Sequence, residues 1–354
     1  MKIFALITSQ IQFEEVKSLS ECTSFDFQTI CGCCGEITEI SRIQKYHGDR
    51  APKPTPKRQI ALFRKLSETF RDLHSRDVKF TLIVFQDVGR LENLSIQLAR
   101  KFHGRVVLVP DGIILYFEKV YVEKYPKYVV HFLTSKFLKY KISRKRKWFD
   151  SGPDTVVFSP IQELPKGKLA GTKFETMETP RRAAILRNSR QSGARGGMLI
   201  CGTPLGELGK SRSIWASETE KFISASRILG ENLGATKYSF RPHPGQVKCL
   251  PEYGLTEIPV SFQSLSQDLM QNELVVTYLS TLAIEALSVG RDVYIYLPET
   301  EKFRKSGLSF ELVKTEHKDF WKCVSNSHII KGPSGITNLA TVQEAWHKVL
   351  SASE

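Results

Sequence analysis

Residues 274–289, LVVTYLSTLAIEALSV, read as a strand, a turn and a helix, and that reading decides the fold. Leu274–Tyr278 is an apolar, β-branched run of strand length. Ser280 and Thr281 then supply hydroxyls, the groups that open helices as N-caps. Leu282, Ala283, Ala286 and Leu287, with Leu279 before them, form the apolar side of a helix over Leu282–Val289. A strand that enters a helix through such a turn is the building block of α/β proteins.

The same pattern recurs outward from this stretch. Lys237–Phe240 is a strand ending at RPHPG, and Met198–Cys201 is a strand followed by GTPLGELG and a helix over Ile214–Leu229. Asp292–Tyr296 is the last strong strand, and a helical segment covers Leu339–Leu350. In the first half, strands are expected at Lys2–Ile7, Lys79–Phe85 and Arg105–Val109. Helices are expected at Phe13–Ser20, at Lys57–Asp77 with Leu62, Leu66, Phe70 and Leu73 in step, and at Leu91–Phe102. Between the halves, Pro165–Gly197 is polar, basic and glycine-rich, which reads as a linker holding a short helix at Arg181–Arg187. The expected organisation is a Rossmann-like domain over 1–164, a linker over 165–197, a second Rossmann-like domain over 198–335, and a C-terminal helix over 336–354 able to pack back on the first domain. A cleft between two such domains is where a ligand would bind.

A chain of 354 residues with 41% hydrophobic content supports two cores, since single cores stop growing near roughly 250–300 residues. No stretch approaches the ~20 apolar residues of a membrane span. The opening MKIFALITSQIQFEEV reads as a buried first strand, not a signal peptide. Seven unevenly spaced cysteines do not suggest a secreted disulfide framework, and a cytoplasmic protein fits best. The cluster Cys31, Cys33 and Cys34, with Cys22 and His47 nearby, lacks zinc-ligand spacing, so no metal is expected.

The net charge of +14 attracts polyanions: nucleic acid, acidic polysaccharide or an anionic membrane surface. Much of it lies in KFLKYKISRKRK, Lys136–Lys147, which reads equally as a solvated face and as a binding patch. With no zinc finger, RNP-like strand or recognition-helix pattern, no nucleic-acid partner is expected.

Three motifs follow strand-like runs: Asp111-Gly112 in LVPDGIILY, His243-Pro244 in SFRPHPGQ, and Ser280-Thr281. Singly, each has a plain reading as a turn, a loop histidine and an N-cap. Together they offer a carboxylate, an imidazole and hydroxyls at a helix start. That set suits a base, an acid and a phosphate cradle. Such an inventory points to transfer of a sugar from a phosphate-bearing donor. The absence of an Asp-x-Asp triplet removes the usual metal–diphosphate clamp.

In these motifs the chain resembles the bacterial sialyltransferases of the lipooligosaccharide-sialyltransferase and capsular-polysialyltransferase branch. Those enzymes carry acidic-acidic-Gly in the first domain, then His-Pro and Ser-Ser/Thr in the second. ITSQIQFEEV is similar to their first strand and loop, placing Gln12 on the family glutamine. TLIVFQDVGRLENL, with Asp87, resembles the segment before the acidic motif, and MLICGTPLGELG is similar to the start of the nucleotide-binding half. The chain departs from the family in having Pro110 before Asp111 in place of a second acid.

The resemblance implies a GT-B fold, α/β with two Rossmann-like domains facing a central cleft. It also implies inverting transfer of sialic acid from CMP-sialic acid to an acceptor hydroxyl, with no cofactor. Asp111 is then the expected base and His243 the acid or phosphate stabiliser. Arg241, Pro244, Ser280, Thr281, Gly202, Thr203 and Glu285 are expected on the donor side. Arg241 could instead pair with a structural carboxylate, Glu285 could face solvent, and GTPLGELG could be a simple turn. Gln12, Asp87 and Gly112 are expected on the acceptor side. The expected partners are a CMP-sugar and an acidic or lipid-linked glycan, possible polysialic acid included, with peripheral contact to an anionic inner membrane. Another nonulosonic acid, such as Kdo, would leave the same CMP.

Overall fold

The computed structural model describes residues 1–32, 35–43, 56–86, 90–110, 120–121, 145–146, 151–160, 171–189, 196–202, 212–243, 246–247, 258–278, 280–297, 311–324 and 339–351. The chain divides into two compact units. The first comprises Met1–Pro160, Leu164–Arg181 and Asn338–Glu354; the second comprises Ile161–Glu163 and Arg182–Thr337.

The first unit opens with β1 (Lys2–Ile7), α1 (Gln10–Cys22), β2 (Asp26–Cys31), β3 (Glu36–Glu39), α2 (Ile40–Ile43) and α3 (Pro56–Ser75). It continues with β4 (Phe80–Val84), α4 (Arg90–Lys101), β5 (Arg105–Leu108), the paired dipeptides β6 (Val120–Tyr121) and β7 (Lys145–Arg146), β8 (Thr155–Phe158) and β9 (Lys173–Thr176). Its seven-stranded sheet runs β3-β2-β1-β4-β5-β8-β9, parallel except where β3 pairs antiparallel with β2. β1, KIFALI, is apolar nearly throughout because a central parallel strand is covered on both faces. The α3 stripe Leu62, Leu66, Phe70 and Leu73 is buried against the sheet, where Phe70 stacks on Phe80 and meets Phe4 edge-on.

The second unit holds β10 (Gly197–Cys201), α6 (Arg212–Asn232), β11 (Lys237–Arg241), α7 (Leu265–Gln271), β12 (Leu274–Thr277), α8 (Thr281–Ser288), β13 (Asp292–Tyr296), β14 (Glu311–Lys314) and β15 (Phe320–Val324). α5 (Pro180–Ser189) carries the chain into it, and α9 (Leu339–Ser351) belongs to the first unit. Its sheet runs β11-β10-β12-β13-β15-β14, with the first four strands parallel and the last two antiparallel additions. Met198, Ile200, Phe240, Val276, Tyr294 and Tyr296 of the sheet form a core with Phe222 of α6. Two such Rossmann-like α/β units in one chain are the composition of the GT-B fold.

The stretch expected as a linker is more structured than its composition suggests. Lys173–Thr176 is the edge strand β9, paired with β8, and the helix over Arg181–Arg187 extends to Pro180–Ser189. Edge strands tolerate polar residues on both faces, so KFET lacks the apolar run that marks a central strand. α9 is tied to its unit by Trp346, whose indole N–H donates to the Glu178 carbonyl at 2.9 Å, and by Arg105, which donates to the Val349 carbonyl. Among the described residues, no helix is long and apolar enough to cross a membrane.

Candidate active site

In the second unit, β11, β10 and β12 lie side by side and parallel, with Cys201 in register with both Arg241 and Thr277. Their carboxyl ends therefore share one edge, where open α/β sheets bind ligands. Gly202 follows β10, His243 follows β11, and Ser280 precedes α8 after β12. Three of the expected donor-side segments are thus neighbours.

Ser280 caps the eight-residue α8, its hydroxyl accepting from the Leu282 N–H at 3.3 Å. Thr281 is the first residue of the helix, at the positive end of its dipole. Glu285, one turn further, does not face solvent: it is 6% exposed. It lies within electrostatic reach of Cys201, as do Arg241 and Asp268. Burial foremost, then the carboxylates of Asp268 and Glu285 against the opposing pull of Arg241, pushes the Cys201 thiol far up. Burial thus keeps Cys201 in its thiol form.

Of the alternatives open for Arg241, the structure shows the carboxylate pairing. Its Nη1 donates to Asp268 Oδ2 at 2.5 Å and to the Gln263 carbonyl at 2.7 Å. Asp268 is 1% exposed, and its other oxygen accepts from the Ser261 hydroxyl at 2.5 Å. The ion pair thus fastens α7 and the segment before it to the end of β11. The Arg241 side chain as a whole is 28% exposed.

His243 is half-buried, and burial lowers its pKa below the ordinary value. Its imidazole is therefore neutral at neutral pH, so the expected acid role requires a proton gained when an anion arrives alongside. Gly202 sits against this loop: its N–H donates to the Arg241 carbonyl at 2.8 Å. A Cβ at Gly202 would fall 1.8 Å from Gln246 Oε1 and 3.1 Å from the His243 nitrogen.

In the first unit, Gln12 is 3% exposed and closes the turn between β1 and α1. Its Oε1 accepts from the Thr8 backbone N–H at 2.7 Å and lies 3.0 Å from the Thr8 hydroxyl. The Thr8 hydroxyl is also 3.5 Å from Glu92 Oε1, which accepts from Gln86 Nε2 at 2.8 Å. Gln12 therefore belongs to a polar cluster at the carboxyl ends of β1 and β4. Asp87, Asp111, Gly112, Thr203 and Pro244 lie outside the described residues, as do Cys33, Cys34, His47 and the basic segment apart from Lys145–Arg146. Among the described residues, no group of three or more His, Cys, Asp or Glu side chains is arranged to hold a metal ion.

Residue type and position in the sequence do not mark Gln246, Asp268, Ser261, Thr8, Gln86 or Glu92. A local signal existed for α7 alone: Ser264-x-x-Gln267 is a capping box, made here in full. Arg241 and Asp268 are joined only by the fold, and nothing in their spacing announces the pair.

The chain matches no family model and no curated protein sequence. Among solved structures it is similar to the UDP-GlcNAc 2-epimerase of Methanocaldococcus jannaschii in complex with UDP-GlcNAc and UDP, at 13% identity over 83% of each chain, with a TM-score of 0.48. It is similar to the spinosyn rhamnosyltransferase SpnG complexed with spinosyn aglycone, at 12% identity over 83% of this chain and 79% of that one, with a TM-score of 0.38. It is also similar to the glycosyltransferase VinC in complex with dTDP, at 11% identity over 99% of this chain and 94% of that one, with a TM-score of 0.42.

Proposed function

We propose that the chain is an inverting GT-B glycosyltransferase, with CMP-sialic acid as donor and a glycan hydroxyl as acceptor. One observation carries the proposal: the His243 loop, the Ser280–Thr281 helix start and Gly202 share the carboxyl edge of three adjacent parallel strands. A leaving nucleotide phosphate suits that edge, which offers a helix N-terminus and an imidazole able to take up a proton.

In the proposed step the acceptor oxygen attacks the anomeric carbon as the bond from that carbon to the phosphate oxygen breaks. CMP departs with the bonding electron pair, and the acceptor proton goes to a carboxylate, for which Asp111 is the candidate. His243, protonated as the phosphate approaches, stabilises the charge that grows on the departing oxygen. Ser280 and Thr281 seat the phosphate, and Glu285, one turn along the same helix, is assigned the ribose hydroxyls. No resident metal or cofactor is part of the scheme. The +14 charge favours an acidic acceptor, polysialic acid among them, and peripheral docking on an anionic inner leaflet from the cytoplasm.

The test is CMP release from a panel of CMP-sialic acid and CMP-Kdo, with mono-, oligo- and polysialylated acceptors and product length as the second readout. Turnover of CMP-sialic acid is expected. Turnover of CMP-Kdo alone would replace the sugar and keep the leaving group, while RNA binding without turnover of either donor would overturn the enzyme reading.

A further inference from the structure

Gln246 stands three residues beyond His243 and is 1% exposed. Its side-chain Oε1 accepts the His243 backbone N–H at 2.9 Å, and its own N–H donates to the His243 carbonyl at 2.7 Å. One residue thus engages both backbone polar groups of His243. The far end of the amide is also placed: Nε2 lies 3.5 Å from Thr219 Oγ1, a buried hydroxyl on α6. The slot that receives this side chain exists because residue 202 has no side chain of its own. A Cβ there would collide with Oε1 at 1.8 Å, and the strand end supporting it is fixed by the Gly202 N–H to Arg241 carbonyl bond at 2.8 Å.

We propose that Gln246 is a positioning residue for His243, seated in the space left by Gly202, so that the strand ends of β10 and β11 and the His243 loop behave as one rigid element. This rests on the proposed role of His243 beside the donor phosphate. It assigns Gly202 a use different from close approach to a ligand: the glycine makes room for an amide. A displaced backbone at His243 moves its imidazole relative to the leaving oxygen. A misplacement of about 1 Å at a reacting group can cost roughly 10²-fold in rate.

The experiment is a double-mutant cycle on Gly202→Ala and Gln246→Ala, with Gln246→Met as a variant that keeps side-chain length without the amide. With CMP-sialic acid, Gln246→Met is expected to lower kcat about 10²-fold while donor KM changes little. Gly202→Ala is expected to fall similarly, because it displaces the intact glutamine. The double variant is expected to be no slower than Gln246→Ala alone, since the alanine at 202 then meets empty space. Losses that multiply in the double variant, or a Gln246→Met enzyme as fast as the wild type, would overturn the proposal. A second readout needs no substrate: hydrogen exchange at the His243 amide, assigned by the shift of its resonance in His243→Asn. Exchange should accelerate in Gln246→Met and in Gly202→Ala, and protection retained in both would sink the proposal even if no CMP-sugar is turned over. Wild-type failure on every CMP-sugar would instead defeat the functional reading, leaving the amide measurement to decide the lock.

Discussion

The carboxyl edges of the two sheets are built from different chemistry. In the second unit the edge is held by charge: Arg241 is clamped to the buried Asp268, and Glu285 is buried on the adjoining helix. In the first unit it is held by amides and a hydroxyl, with Thr8, Gln12 and Gln86 gathered around the single carboxylate of Glu92. Removing one partner of a buried ion pair strands a charge, whereas removing one amide from the first cluster costs a hydrogen bond. The second edge should therefore fail abruptly and the first by degrees.

The largest effect is expected from Asp111→Ala. As the proposed base it should lower transfer by about 10²–10⁴-fold with folding intact, which CMP release and circular dichroism would check together. Near-normal turnover would move the base to another residue.

Next comes the charged edge itself. Asp268→Ala strands Arg241 and the Ser261 hydroxyl, and should cost about 3–5 kcal/mol in chemical denaturation. A loss under 1 kcal/mol would remove the contrast between the two edges, on the roughly 0–1 kcal/mol scale of surface pairs.

His243→Asn should reduce kcat by about 10²–10³-fold, the scale of one lost stabilising donor. It should also alter the acid side of the stability profile. Burial depresses the folded pKa of His243, so the folded state resists protonation more than the unfolded chain. Stability present above the unfolded value of about 6.5 is then lost as pH falls through the folded pKa. The asparagine variant should lack that increment, and an unchanged profile would mean the imidazole is not held neutral by the fold.

The amides of the first edge should yield less. Gln12→Ala removes the acceptor used by Thr8 and should cost about 1–3 kcal/mol. The smallest effect belongs to exposed pairs such as Arg76–Asp72, where Asp72→Ala should cost roughly 0–1 kcal/mol and become undetectable in high salt.

What could be read in advance follows the same division. Strands β1, β10 and β13 and helices α3, α4 and α8 were legible because burial imposes an apolar run or a 3.6-residue stripe on them. β9 and the antiparallel pair β14 and β15 are edge strands or additions beyond the parallel core, where Glu, Lys and Thr are tolerated, and the short interior strands β2 and β8 likewise go unmarked in the sequence. At the site, His243 and Ser280 stood out by residue type and by following strands. Gln246 did not, because its importance lies in a cavity made by a glycine 44 positions earlier, and adjacency of that kind leaves no periodic trace. Arg241 stands out beside His243 but Asp268 does not, since it reaches the arginine across a loop and a helix start.

The attachment of Trp346 to the Glu178 carbonyl bears on how the molecule is made. The indole is fully buried in the first unit, yet Arg182–Thr337, nearly all of the second unit, is encoded between its two contacting segments. During synthesis, at about 5–20 residues per second, the opening unit must wait with that place unfilled while its neighbour is translated. Until residue 346 leaves the ribosome, the unit that begins first remains the one finished last.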